Sequence, residues 1–99
     1  MPQQLKHTIY IAGPMTNIPK FNRPAFSLLA ADLRAKGHTV INPGEFPERD
    51  SWEGYMRLGI AALMACDTIY MLPNWKLSRG AVIEHTLAHQ LGIRRKYID

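Results

Sequence analysis

The residues best suited to chemistry lie near the start of a predicted C-terminal helix, at positions 78–84. Taken at about 100° per residue, Leu87, Ala88 and Leu91 define the apolar face of this helix, and Glu84 falls among them. A carboxylate on a buried stripe is costly unless it is paired or used, and functional sites are where such a cost is tolerated. The pattern favours Glu84 as a catalytic residue over a paired structural carboxylate.

Ser78, Arg79 and Gly80 stand at the start of the same helix and suit the binding of an anion. A serine hydroxyl can donate a hydrogen bond to phosphate at a helix N-terminus, and the arginine adds positive charge. Glycine lets a ligand approach the backbone closely. The same three residues also suit an ordinary helix cap, and their spacing alone leaves both interpretations open.

Alternating strands and helices must position these residues. Short apolar runs predict strands at residues 8–12, 39–41, 69–72 and 93–98. Helical spacing predicts helices that begin near Pro24 with Asn22 as N-cap, after Ser51, and near Gly80. Residues 46–50 are polar and broken by proline, as in a surface loop. The pattern predicts a single α/β domain over residues 1–99, with a small Rossmann-like (flavodoxin-like) three-layer fold and a short, mostly parallel sheet of three or four strands.

The carboxyl ends of parallel strands are where such folds bind ligands, because helix N-termini and their free N–H groups converge there. The segments at that edge are 13–15, 42–44 and 73–80. They predict the binding residues Gly13, Pro14, Met15, Asn42, Trp75, Ser78, Arg79 and Gly80. Trp75 can either stack on a base or close over the core, and the sequence does not decide between these roles.

Charge and length exclude two classes of partner. The net charge of +4 divides evenly between the two halves of the chain, and the densest basic run, residues 94–96, is too short to track a nucleic-acid backbone. No apolar run approaches the roughly 20 residues that span a bilayer. We therefore expect neither a polymeric nucleic acid nor a membrane as a partner.

The sequence offers no clear metal or cofactor site. His85 and His89 have i, i+4 spacing, but they lie largely on the polar side of the helix, and no third ligand has a matching spacing. The single cysteine, Cys66, cannot form an internal disulfide, and the N-terminal residues lack the apolar core of a signal peptide. We expect a cytoplasmic protein without a bound metal or cofactor.

Several motifs together resemble the nucleoside 2-deoxyribosyltransferase-like superfamily. They are residues 10–14 on the first strand, residues 78–80, and Glu84 in the last helix. Residues 10–15, 22–26, 40–43 and 75–81 are similar to a small branch of uncharacterised domains in that superfamily, associated with phages and prophages. The resemblance covers roughly residues 8–92.

The resemblance implies glycosidic-bond chemistry. A carboxylate at the position of Glu84 attacks C1′ of a deoxyribose, expels the base and leaves a glycosyl-enzyme that water or another base resolves. Tyr10 matches a tyrosine near the nucleophile, where it could orient the carboxylate or the sugar. Ser78 matches a serine that meets phosphate in 2′-deoxynucleoside 5′-monophosphate N-glycosidases, and the shared motif at Asn22 and Arg23 implies that both contact the substrate.

The leading hypothesis is therefore an N-glycosidase or deoxyribosyltransferase that acts on a nucleoside or nucleotide as a homodimer. A second is a nucleotide-binding module without turnover, such as a sensor or sequestering protein. It is suggested because, apart from Glu45, no second carboxylate is evident at the carboxyl edge that could protonate a leaving base. A third is a structural or interaction domain whose edge glycines are only turns.

Overall fold

The central strand of the sheet is β1 (Thr8–Ala12), a continuous apolar run that is buried on both faces. The computed structural model describes residues 6–49 and 51–98. β1 pairs in parallel with β2 (Thr39–Ile41) on one side and with β3 (Thr68–Met71) on the other. β4 (Arg94–Tyr97) pairs in parallel with β3. The strand order β2-β1-β3-β4 is that of a flavodoxin-like sheet.

Helices cover both faces of this sheet, and the alternation of side chains along β1 separates two cores. Ile9 and Ile11 pack in a cluster with the buried face of α1 (Arg23–Ala35). Tyr10 and Ala12 point to the other face, where they pack with residues of α2 (Trp52–Leu63) and α3 (Arg79–Gln90). The result is the predicted three-layer α/β architecture, with four strands that are all parallel.

Serine and glycine set the helix ends. Ser51 Oγ accepts a hydrogen bond from the Gly54 N–H at 3.0 Å, and Ser78 Oγ accepts one from the Ala81 N–H at 3.2 Å, so both serines cap their helices. Gly37 follows α1 with φ of +93°, a left-handed conformation that favours glycine. The start of α3 is thereby fixed at the carboxyl edge of β1 and β3.

Two local predictions differ from the structure. Asn22 precedes α1 with φ of +59° and forms no side-chain cap; its Nδ2 instead donates to the Pro14 carbonyl at 2.9 Å. In α3 the buried residues are Ala81, Glu84 and Ala88, whereas Leu91 is exposed because the helix ends at Gln90. Residue 50, in the predicted surface loop 46–50, lies outside the described residues.

Among residues 6–49 and 51–98, no helix is both long and apolar enough to cross a membrane.

Candidate active site

A buried hydrogen bond between β1 and α3 forms the centre of the candidate site. Tyr10 Oη donates to Glu84 Oε2 at 2.5 Å. The two side chains are only 1% and 7% exposed. β1 directs Tyr10 toward the α3 face, and Glu84 lies in the second turn of α3, on its buried side. Sequence reasoning predicted both residues as catalytic, and the fold brings them into direct contact across 74 residues of chain.

Burial controls the ionisation of both groups. It raises the pKa of Glu84 to about 7, although the hydrogen bond from Tyr10 lowers it in part. Burial and the negative charge of Glu84 raise the pKa of Tyr10 well above its ordinary value. The phenol therefore stays protonated and remains a donor, whereas the carboxyl group can change its charge near neutral pH.

A glycine of α2 allows the helix to pass directly over this pair. A Cβ atom on Gly59 would lie 2.5 Å from Tyr10 Oη and 3.0 Å from Glu84 Oε2. Both distances are shorter than van der Waals contact, so any larger residue would displace the hydrogen-bonded pair. Sequence reasoning did not identify Gly59, although an isolated glycine within a helical pattern is a signal for such close packing.

We expect Gly59→Ala to destabilise the fold by about 1–3 kcal/mol, because the new methyl group overpacks a buried site. The matched control is Gly54→Ala in the first turn of the same helix, where the nearest atom to the new Cβ is Ser51 Oγ at 3.3 Å and the next is Arg49 Cβ at 3.6 Å. Urea unfolding of both variants measures the difference. Equal free energies of unfolding for the two variants would contradict the close packing inferred at Gly59.

Tyr10 and Glu84 lie in the wall of a cavity of about 490 Å³ at the carboxyl edge of the sheet. Its volume is typical of pockets that hold small organic ligands. The predicted site residues that line it are Tyr10, Gly13, Met15, Arg23, Ser78, Gly80 and Glu84. Pro14 and Arg79 line an adjoining cavity of about 450 Å³, whose wall also includes Met15, Ser78 and Gly80. Nine of the twelve predicted residues therefore meet at one edge.

The other three predicted residues line neither cavity. Asn42 is 2% exposed, and its Oδ1 accepts a hydrogen bond from the Gly44 N–H at 2.8 Å, which caps the short turn after β2. Trp75 is half-buried and stacks on His85, with ring centroids 4.2 Å apart. Asn22 is held by its hydrogen bond to Pro14. Asn22 and Trp75 are thus engaged in local structure, and so is Oδ1 of Asn42, whereas its buried Nδ2 has no hydrogen-bond partner among the described residues.

Several cavity residues come from residues 46–50, which the sequence predicted as surface loop, and from the start of α2. Glu48 and Arg49 precede α2, and Trp52, Tyr55 and Met56 lie in its first turns. The topology offered a signal, because this segment follows a parallel strand and so starts at the same edge as Gly13. It supplies the cavity with a second carboxylate and a second guanidinium.

Glu45, the carboxylate that the sequence suggested at this edge, faces elsewhere. Both of its oxygens accept hydrogen bonds from Arg34, at 2.8 and 2.9 Å. This contact lowers the pKa of Glu45 below its ordinary value. Glu45 lines neither cavity, whereas Glu48 lines the cavity of Glu84. Of these two acidic residues, only Glu48 stands where a ligand could meet it.

The sequence matches one family model along nearly all of the described fold. Residues 7–97, from β1 to β4, match the family described as a domain of unknown function (DUF4406). The chain belongs to this family. No curated protein matches the sequence. For this DUF4406 domain, the chemistry must therefore be inferred from the site.

Within the described ranges, no three His, Cys, Asp or Glu side chains gather in a possible metal site. His85 Nε2 lies 2.7 Å from Tyr97 Oη, and its ring stacks on Trp75. Of the two histidines considered for their i, i+4 spacing, His85 is thus part of an aromatic cluster with Trp75 and Tyr97, and His89 is exposed.

Proposed function

We propose that this DUF4406 domain is an N-glycosidase or deoxyribosyltransferase that cleaves the base–sugar bond of a nucleoside 5′-monophosphate or its deoxy counterpart. The observation that carries the proposal is the buried Glu84 carboxyl group at the cavity wall. Its hydrogen-bond donor among the described residues is the neutral phenol of Tyr10, and no ion pair of the described residues involves it. Ionising a carboxyl group at this depth without a cation beside it is costly, and functional sites are where such a cost is tolerated.

The proposed reaction uses Glu84 as a nucleophile. Its carboxylate attacks C1′ of the sugar, and the bond between C1′ and the base nitrogen breaks with its electron pair leaving on the base. The departing base takes up a proton from solvent, and a glycosyl ester remains on Glu84. Water then attacks C1′, loses one proton to solvent, and displaces the Glu84 carboxylate, which releases the sugar phosphate. The two displacements together retain configuration. A second base in place of water would make the reaction a transfer.

Tyr10 is a positioning group in this proposal. Its hydroxyl holds Oε2 of Glu84 at 2.5 Å, which leaves Oε1 as the attacking atom. Because its pKa is raised far above neutrality, the phenol donates throughout the physiological range. The hydrogen bond also favours the ionised form of Glu84, which is the nucleophilic form.

The start of α3 supports a phosphorylated substrate. The capping bond uses a lone pair of Ser78 Oγ and leaves its O–H free to donate. Ser78 and Gly80 line the cavity beside Glu84, and the first turn of α3 adds unpaired N–H groups and a positive helix end. A neutral hydroxyl at this position tolerates a phosphate dianion that a carboxylate would repel.

We expect Ser78→Asp to lower the preference for 5′-monophosphates over nucleosides by about tenfold or more, because the new charge faces the phosphate. Aspartate caps helices as well as serine does, so the fold is preserved. The ratio of kcat/KM for a monophosphate and its nucleoside, measured in both proteins, checks this. An unchanged ratio would show that phosphate does not meet Ser78.

The test of the proposed function is a search for free base by chromatography. The wild-type protein is incubated with nucleosides, their ribo- and deoxyribo-5′-monophosphates, and related dinucleotides. Release of base from phosphorylated members supports the proposal. No release, together with thermal stabilisation by a recovered and unaltered ligand, would overturn it in favour of a binding module.

The proposal places this activity in the cytoplasm, as the lone cysteine suggests.

A further inference from the structure

The adjoining cavity is large enough for a second organic group. Its volume of about 450 Å³ is close to that of the cavity beside Glu84 and falls within the usual range for ligand pockets. It is lined by the segment after β1, by Trp52, and by Asn74, Leu77 and Arg79 around the start of α3. A nucleoside monophosphate bound beside Glu84 leaves this space without an occupant.

The groups suited to phosphate lie on the boundary between the two cavities. Ser78 and Gly80 line both, as do Met15, Thr16 and Trp52. Arg79, between Ser78 and Gly80, lines the adjoining cavity, called the second cavity from here on. Among the described residues of its wall, Arg79 has the only ionisable side chain. An anion held at this boundary therefore has space on both sides, as the phosphates of a bridging ester require.

The wall of the second cavity combines an aromatic ring, a cation and neutral polar groups. The Arg79 guanidinium lies over the Trp52 ring, 4.2 Å from its centroid. The side chains of Thr16, Asn17 and Asn74 add hydroxyl and amide groups, and the described wall contains no carboxylate. These are the groups that bind a phosphate and a sugar with an attached base.

We propose that the substrate class is a nucleoside diphosphate ester, in which a pyrophosphate at Ser78–Gly80 joins the nucleoside beside Glu84 to a second nucleoside in the second cavity. The assignment of the cleaved bond rests on the proposed function. The claim that a second nucleoside occupies the second cavity does not rest on it, because binding there requires no turnover.

Equilibrium binding to the Glu84→Gln protein tests this inference without catalysis. The probes are AMP, ADP and diadenosine 5′,5′-diphosphate, and the corresponding dTMP, dTDP and dithymidine diphosphate, titrated by calorimetry. We expect one dinucleotide to bind on the order of tenfold or more tightly than its monophosphate, because the second nucleoside is buried as well. Equal affinities for the dinucleotide and its monophosphate would overturn the inference. A nucleoside diphosphate that binds as tightly as the dinucleotide would also overturn it, because the second nucleoside would then contribute nothing. Failure of every probe to bind would overturn it as well.

A charge on the rim of the second cavity provides the matched variant. Leu77 lines the second cavity and is 85% exposed, so we expect Leu77→Glu to fold normally. The control is Leu28→Glu, because Leu28 is 76% exposed on α1 and lines neither cavity. We expect Leu77→Glu to lower the ratio of dinucleotide to monophosphate affinity about fivefold by charge repulsion, and Leu28→Glu to leave it unchanged. Equal ratios in the two variants would contradict the assigned location.

The outcomes separate the two proposals. Base release from monophosphates at the same kcat/KM as from dinucleotides would support the proposed function and overturn the substrate class. Tight dinucleotide binding without base release by the wild type would support the second cavity and overturn the glycosidase.

Discussion

Replacing Glu84 with Gln is expected to reduce base release on the order of 10³-fold or more, because the amide cannot act as the nucleophile that forms the glycosyl ester. The substitution is nearly isosteric, and the Gln carbonyl can still accept the hydrogen bond from Tyr10. Substrate affinity should change far less than kcat. The comparison requires initial rates of base release and equilibrium binding, measured with the same nucleotide.

A charge-neutralising control separates the role of Glu84 from general electrostatics. Glu53 lies in the first turn of α2, is exposed and lines neither cavity. We expect Glu53→Gln to retain the wild-type rate. Base release by Glu84→Gln within about tenfold of the wild type would be incompatible with a nucleophilic role.

The second large effect concerns stability and pH. In the folded protein the pKa of Glu84 is raised to about 7 from an ordinary value of 4.5, so the native state holds its proton more tightly than the unfolded chain does. This contribution to the free energy of unfolding is fully present below pH 4.5 and is lost as the pH rises through about 7. Relative to Glu84→Gln, the wild type should lose about 3 kcal/mol between these limits.

Urea unfolding of both proteins at a series of pH values between 4.5 and 8 measures this loss. The difference between the two free energies of unfolding isolates Glu84, because the other titrating groups are common to both. We expect the stability of the wild type relative to the variant to fall steadily as the pH rises across this range. A difference that does not depend on pH would contradict the burial of an ionisable Glu84.

The sequence predicted the fold well because local signals and the global topology agree. The apolar run of β1, the capping residues Ser51 and Ser78, and the glycine after α1 each act within a few residues of their position. Helical periodicity predicted that Glu84 is buried, because its carboxylate falls on the same face of the helix as apolar residues. The exposed Leu91 shows the weakness of such periodicity at a helix end, where the chain turns away.

The remainder of the site depends on tertiary packing. An isolated glycine in a helical pattern signals close packing, but only the tertiary structure determines that α2 passes over the pair formed by Tyr10 and Glu84. Asn42 and Trp75 follow strands at the predicted edge, but position at an edge does not fix where a side chain points. The predicted homodimer stays a prediction, which sedimentation of the purified protein would check.

The most direct test of the central claim is to trap the glycosyl ester on Glu84. The wild-type protein is mixed with an accepted nucleotide, quenched in acid and digested, and the peptides are analysed by mass spectrometry. In the wild type we expect Glu84 to carry an added sugar phosphate, or a sugar bearing the rest of the diphosphate ester. In Glu84→Gln we expect no adduct. A sugar adduct on another residue, or base release that continues in Glu84→Gln, would contradict the nucleophilic role of Glu84.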